Sequence, residues 1–192
     1  MIRNSAAVNL LASVWQIAAD GWCRQASRQP SPNYNARPDP ADISLLVIHN
    51  ISLPAGQFGG PHISDLFQNC LDCSVHESFE SLRDLKVSSH FLIRRDGTLL
   101  QFVSTLERAW HAGISSFEGR PSCNDFSIGI ELEGADDVPF EPVQYESLSL
   151  LTQALLAHFP ITHIVGHSEI APGRKTDPGT CFDWGRYQQD IS

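Results

Sequence analysis

Asp96-Gly97 is the feature that most narrows the folds open to this chain. It stands between two β-prone runs, residues 88–95 and 98–103. Glycine reaches the positive φ of a two-residue hairpin turn without steric cost, so the pair predicts an antiparallel hairpin. Three other runs read as strands. Residues 44–51 are a continuous apolar stretch that ends on His49 and Asn50, residues 126–134 alternate, and residues 161–165 are β-rich. Before the last of these, Pro142 suits the first turn of a helix, Leu148, Leu151 and Leu155 recur at helical spacing, and Pro160 stops it. Strands separated by helices, with a hairpin among them, predict an α/β protein of mixed α+β character. Its core is a single central mixed β-sheet flanked by helices.

The remaining segments are connectors or arms. Residues 29–40 carry four prolines and no helix or sheet periodicity, which predicts an extended strap across the surface. Residues 54–61, with Gly56, Gly59 and Gly60, form a loop. A short helix is expected from about 62 to 70, irregular polar chain over 71–86, and a terminal helix from about 182. Residues 1–27 fit one helix, with Val8, Leu11, Val14 or Trp15, and Ala18 near one face. Asn9, Ser13 and Gln16 interrupt the apolar character of the first nineteen residues, which favours an amphipathic helix or an extended start over a secretory signal. At 192 residues the chain is read as one domain over 20–192 with an N-terminal extension over 1–19.

A net charge of -9 argues against nucleic acid or an anionic membrane as the main partner. No apolar run approaches a membrane span. Five scattered cysteines, an odd number, read as reduced thiols and a cytoplasmic protein.

The chemistry concentrates in Val165-Gly166-His167-Ser168-Glu169-Ile170-Ala171-Pro172-Gly173-Arg174-Lys175-Thr176-Asp177-Pro178-Gly179. Its prolines and glycines forbid a helix through the segment and favour fixed turns that aim Lys175 and Asp177 back toward His167. Imidazole plus carboxylate on a stiff loop is a way of gripping zinc with one position left open, and His49 is the candidate third ligand. Taken singly, these residues have plainer readings. Lys175 and Asp177 can serve each other as a surface ion pair, and a lone histidine ending an apolar strand is commonly structural. Alternation puts Glu131 and Glu133 on one face of their strand. Either they sit on a solvated edge or one is a desolvated acid/base group with a raised pKa. Cys70-x-x-Cys73 lacks a second pair and is read as incidental. Trp110-His111-Ala112-Gly113 is either a binding wall or core packing.

Five segments together resemble a known family. They are Leu46-Val47-Ile48-His49-Asn50, Ser89-His90-Phe91-Leu92-Ile93-Arg94-Arg95-Asp96-Gly97, Arg108-Ala109-Trp110-His111-Ala112-Gly113, residues 124–134, and residues 166–179. In order and spacing they are similar to the AmpD family, the cytoplasmic 1,6-anhydro-N-acetylmuramyl-L-alanine amidases of Gram-negative bacteria. That family belongs to the zinc amidase superfamily of phage T7 lysozyme and the peptidoglycan recognition proteins. The resemblance implies Zn²⁺ held by His49, His167 and Asp177, with Glu131 and Lys175 as the catalytic pair. It implies Asn50, Lys86, Trp110 and Arg120 along the substrate groove, and an anhydro-muropeptide substrate for a monomeric enzyme of peptidoglycan recycling. Some relatives carry arginine where Ser122 stands. Others use cysteine as third ligand, which keeps Cys181 as a rival to Asp177.

Overall fold

The computed structural model describes residues 15–192. Its centre is a six-stranded sheet built from β1 (Ser27–Arg28), β3 (Leu45–Ile51), β4 (Phe91–Ile93), β5 (Leu99–Gln101), β9 (Ser127–Glu133) and β10 (His163–Gly166). The order is β1-β5-β4-β9-β3-β10. β4 and β5 are antiparallel; every other neighbouring pair runs parallel. The sheet is therefore mixed, as the pattern predicts. Gly97 turns the hairpin at φ +81°, with Arg94 accepting the Gly97 N–H.

β3 and β9 lie in the middle, and this explains their composition. A strand covered on both faces has no position for a solvated side chain, so Leu45, Leu46, Val47 and Ile48 are all buried, as are all seven residues of β9. One face packs Leu46, Ile48, Ile128, Ile130 and Leu132 against Leu148, Leu151 and Leu155 of the long helix, Pro142–His158. Each such side chain contributes about 1.5–3 kcal/mol by leaving water. The opposite face packs Leu45, Val47 and Val165 against Ala112, Phe126 and Ile170. It is the face on which His49 and Glu131 stand.

Among the described residues the α-helices are α1 (His62–Phe67), α2 (Pro142–His158), α3 (His167–Ile170) and α4 (Trp184–Asp190). Pro142 and the chain before Pro160 bound α2 as predicted. Gln144 fastens its start, accepting the Glu141 N–H at 3.0 Å and donating to the Glu133 carbonyl at 3.1 Å. Among the described residues no helix is long and apolar enough to cross a membrane.

Four expectations change. Residues 15–27 are not helical: Ile17 bridges Cys23 in antiparallel fashion around a turn, with Gly21 at φ +77°. Tertiary bonds hold that turn, since the Gln101 side chain takes the Cys23 N–H at 2.7 Å and donates to the Gly21 carbonyl at 2.9 Å. Most of the predicted N-terminal extension, residues 1–14, lies outside the described residues. The proline-rich strap contains β2 (Tyr34–Asn35), which pairs with β6 (Arg108–Ala109), while β7 (Ser116–Phe117) and β8 (Arg120–Pro121) pair as a separate small hairpin. The irregular stretch holds a 3-10 helix, Glu77–Leu82. The His167 loop opens with α3, which fits between β10 and Pro172; the proline ends that helix but does not prevent it.

Candidate metal centre

Parallel pairing of β10 with β3 sets Gly166 opposite Ile48, so His167 emerges beside His49. The loop after α3 then doubles back, with the Ser168 N–H donating to the Asp177 carbonyl at 3.0 Å. Asn50 holds the far end, donating to the Pro178 carbonyl at 3.0 Å and to Asp136 at 2.6 Å. Gly179, at φ +84°, lies where a Cβ would come within 2.2 Å of the Asp136 Cα, so the close return of this loop requires glycine.

The result is a triangle of three donor atoms. His49 Nδ1 is 3.0 Å from His167 Nδ1 and 3.1 Å from Asp177 Oδ2, and His167 Nδ1 is 3.0 Å from the same Asp177 oxygen. Among the described residues this His49, His167, Asp177 group is the set of side chains that could hold a metal ion. Cys181, the rival ligand, is outside it. The donor set fits zinc in type and in spacing, since tetrahedral bonds of about 2.0–2.1 Å separate ligand atoms by roughly 3.3 Å. It also fits in protonation. His167 Nε2 lies 3.1 Å from the Ala112 carbonyl oxygen, which can only accept, so the neutral ring turns a lone pair into the triangle.

Both imidazoles are nearly inaccessible, at 1% and 3% exposure. Burial, with the neighbouring His167, pushes the His49 pKa down to about 4 and keeps it neutral at physiological pH. Burial acts to raise Asp177, but its hydrogen bonds with His167 and His49 outweigh that and hold it ionised well below the usual carboxylate range. A His49 imidazole held neutral and an ionised Asp177 are donors that a divalent cation requires.

Glu131 is the next neighbour. It pairs in register with His49 across β9 and β3, is buried, and its Oε2 has no hydrogen-bond partner. Burial, then the charge of Asp177, raises its pKa well above the ordinary value, against the opposing pull of Lys175. Lys175 is exposed, and its charge acts on both Glu131 and His49. Glu133, the alternative acid, is fully engaged: it accepts from the Gly59 N–H at 2.6 Å, the Arg95 N–H at 3.1 Å and Arg94 at 3.3 Å.

The four groove candidates divide. Asn50 adjoins the triangle through the loop it holds. Trp110 precedes His111 and donates from Nε1 to Asn35 at 2.7 Å. Lys86 is exposed beside a cavity of about 190 Å³ that Leu66, Leu71 and Leu82 help line. Arg120 is not brought to the triangle. It pairs with Asp42 and lies 3.8 Å over the Phe126 ring, at the N-terminal ends of β3 and β9. A larger cavity of about 510 Å³ lies along the outer side of α2, between it and residues 15–19, and carries none of this chemistry.

Sequence reasoning read His111 as part of a binding wall or as core packing, and missed its contact with His49. Its Nδ1 is 2.9 Å from His49 Nε2 and its Nε2 is 3.1 Å from Ser127 Oγ. A signal was available in Gly129. Glycine inside a buried strand marks a close approach, and a Cβ there would lie 2.5 Å from the His111 ring.

Residues 39–180 match the sequence profile of the family described as N-acetylmuramoyl-L-alanine amidase. The 1,6-anhydro-N-acetylmuramyl-L-alanine amidase AmpD of Citrobacter freundii is 52% identical over 171 residues, covering 88% of this chain and 91% of that protein. The crystal structure of a selenomethionine AmpD derivative superposes with a TM-score of 0.90 at 50% identity, covering 92% of this chain and all of that one. The Escherichia coli amidase AmiD, solved with anhydro-N-acetylmuramic acid-L-Ala-D-γ-Glu-L-Lys, superposes with a TM-score of 0.57 at 31% identity, covering 91% of this chain and 65% of that one.

Proposed function

The chain belongs to the N-acetylmuramoyl-L-alanine amidase family, and from that premise we infer that it hydrolyses the amide joining 1,6-anhydro-N-acetylmuramic acid to L-alanine in muropeptides. The observation that carries the reading is the His49, His167, Asp177 triangle beside a buried, unpartnered Glu131 carboxyl. The catalytic unit is taken as residues 20–192, acting as a monomer in the cytoplasm.

His49, His167 and Asp177 would hold zinc, which supplies Lewis acidity: it acidifies water and polarises a carbonyl. Glu131 takes a proton from the attacking water and passes it to the alanine nitrogen, which must leave as a neutral amine. Its raised proton affinity suits both halves of that transfer, because a carboxylate of ordinary pKa holds a proton too weakly to carry it. The Lys175 ammonium offsets the negative charge that develops on the carbonyl oxygen. Asn50, Lys86, Trp110 and Arg120 are the proposed substrate contacts, Arg120 standing away from the triangle beside Asp42 and Phe126. Clearing such fragments would place the enzyme in peptidoglycan recycling and would keep an inducible β-lactamase low.

Mass spectrometry of products tests this, with anhydro-muropeptide and intact wall sacculi digested side by side. The expected result is free L-alanyl peptide and anhydro-muramic sugar from the fragment, with near one zinc per chain. Release from sacculi alone would make the enzyme a wall-polymer amidase. Bound zinc without release would make it a binding module.

A further inference from the structure

Two consecutive residues back both imidazoles of the triangle. His111 Nδ1 meets His49 Nε2 at 2.9 Å, and the Ala112 carbonyl meets His167 Nε2 at 3.1 Å. This turn is itself pinned. Asn124 Oδ1 accepts the His111 N–H at 3.2 Å and the Ala112 N–H at 2.8 Å. Arg174 donates to the same Ala112 carbonyl at 2.8 Å. Gly129 leaves room for the His111 ring against the sheet.

The chemistry of the partners decides where the protons lie. A carbonyl has only lone pairs, so His167 carries its proton on Nε2. The partner of His49 is an imidazole nitrogen, which accepts only if His111 is protonated on its other nitrogen. That nitrogen faces Ser127 Oγ at 3.1 Å, and a hydroxyl oxygen can accept. The chain then runs from His49 Nε2–H to His111 Nδ1, and from His111 Nε2–H to Ser127 Oγ. It leaves a lone pair on His49 Nδ1, inside the triangle. Run the other way, it would place a proton on that atom, in the space a cation needs.

We propose that the His111–Ala112 turn is the outer shell of the metal site. His111 is a positioning residue that fixes the tautomer of His49, and Asn124 is a positioning residue that aligns the outer partners of both histidines at once. Outer partners of this kind orient ligands and raise their basicity, and losing one costs roughly ten- to a hundredfold in metal affinity. The inference rests on the zinc reading of the triangle.

The test measures zinc affinity by chelator competition in the full chain and reads histidine tautomers from side-chain ¹⁵N spectra. His111→Leu and Asn124→Ala are expected to weaken zinc roughly ten- to a hundredfold. His111→Asn, whose Oδ1 stands in for the lost Nδ1 acceptor, is expected to bind near the wild-type level. Metal-free wild type should show His49 protonated at Nε2, and His111→Leu should lose that single tautomer. Ser127→Ala removes the hydroxyl that faces His111 Nε2 while keeping the His111 side chain, and should give a mixture of His49 tautomers, which keeps the test open if His111→Leu does not fold. Equal zinc affinity across the variants, or a His111→Asn protein as weak as His111→Leu, overturns the inference and leaves the amidase reading standing. Wild-type protein that takes up no zinc overturns both.

Discussion

Glu131 and Glu133 stand two residues apart on one face of β9, and only Glu133 is satisfied. Glu133 accepts three hydrogen bonds from Gly59, Arg94 and Arg95, whereas Glu131 keeps a buried oxygen with no partner. A buried polar atom left unpaired costs about 1–3 kcal/mol. Such a cost beside the His49, His167, Asp177 triangle supports the proposed role of Glu131 as the proton carrier.

Replacing these two acids should therefore separate activity from stability. Glu131→Gln is expected to lower kcat by roughly 10²–10⁴-fold while zinc content stays near one per chain. Its metal-free melting temperature should rise at pH 8, because the amide removes a charge that burial disfavours. Glu133→Ala should do the reverse, destabilising the fold by about 3–5 kcal/mol as Arg94 loses its buried partner. Steady-state kinetics with chemical denaturation decides; full activity in Glu131→Gln would remove it from the mechanism.

Lys175 is exposed, so its removal should leave the fold intact. Lys175→Met is expected to lower kcat by roughly 10²–10³-fold, the usual loss when a group facing a developing oxyanion is deleted. KM and zinc content should change little. A variant that lost affinity for substrate while keeping kcat would recast Lys175 as a ground-state contact.

The buried histidines predict acid lability in the chelated protein. His90 accepts the Gly129 N–H at Nδ1, 3.0 Å away, and donates from Nε2 to the Glu107 carbonyl, also at 3.0 Å, which fixes it as neutral. Burial and the nearby Arg37 push its pKa down to about 3 from the ordinary imidazole value of 6.5. Between those values the unfolded chain binds a proton that the folded one refuses. Stability is thus complete above the unfolded pKa and falls as pH drops toward about 3. At about 1.4 kcal/mol for each tenfold change in proton affinity, His90 alone accounts for several kcal/mol. His49, held at about 4, adds to the slope. Melting temperature against pH should fall steeply below neutrality in the wild type and less steeply in His90→Asn. Parallel curves would show that His90 is not the titrating group.

Local chemistry made much of this legible from sequence. Gly97, Pro142 and Pro160 mark the hairpin and α2 because each acts through its own backbone. His167 and Asp177 are visible as a candidate pair because one stiff loop carries both. His49 stands in the sequence as the candidate third ligand, but what sets it beside His167 is the parallel register of β10 on β3, made by residues more than a hundred positions apart. Periodicity left Glu131 and Glu133 equal and the family resemblance chose Glu131; the Gly59 and Arg95 backbones that engage Glu133 are encoded by no periodicity. The first described turn was misread for the same reason. Its apolar spacing suits a helix, but Gln101 supplies the competing hydrogen bonds.

Asp177 and Cys181 give the sharpest test of the ligand set. Asp177 Oδ2 lies within 3.1 Å of both histidine nitrogens, whereas the Cys181 backbone N–H is tied to the Asp136 carbonyl at 3.2 Å and its thiol is not part of the group. Asp177→Ala removes one of three protein ligands and leaves two buried imidazoles facing each other. Zinc content after dialysis should fall well below one per chain, and the added stability of the zinc form should vanish. A metal present at a thousand times its Kd stabilises by about 4 kcal/mol, so the loss is easily read as a drop in melting temperature. Cys181→Ser should keep both zinc and stability. The opposite pattern, with zinc retained in Asp177→Ala and lost in Cys181→Ser, would move the third ligand to the thiol and require the residue 176–181 loop to refold around the ion.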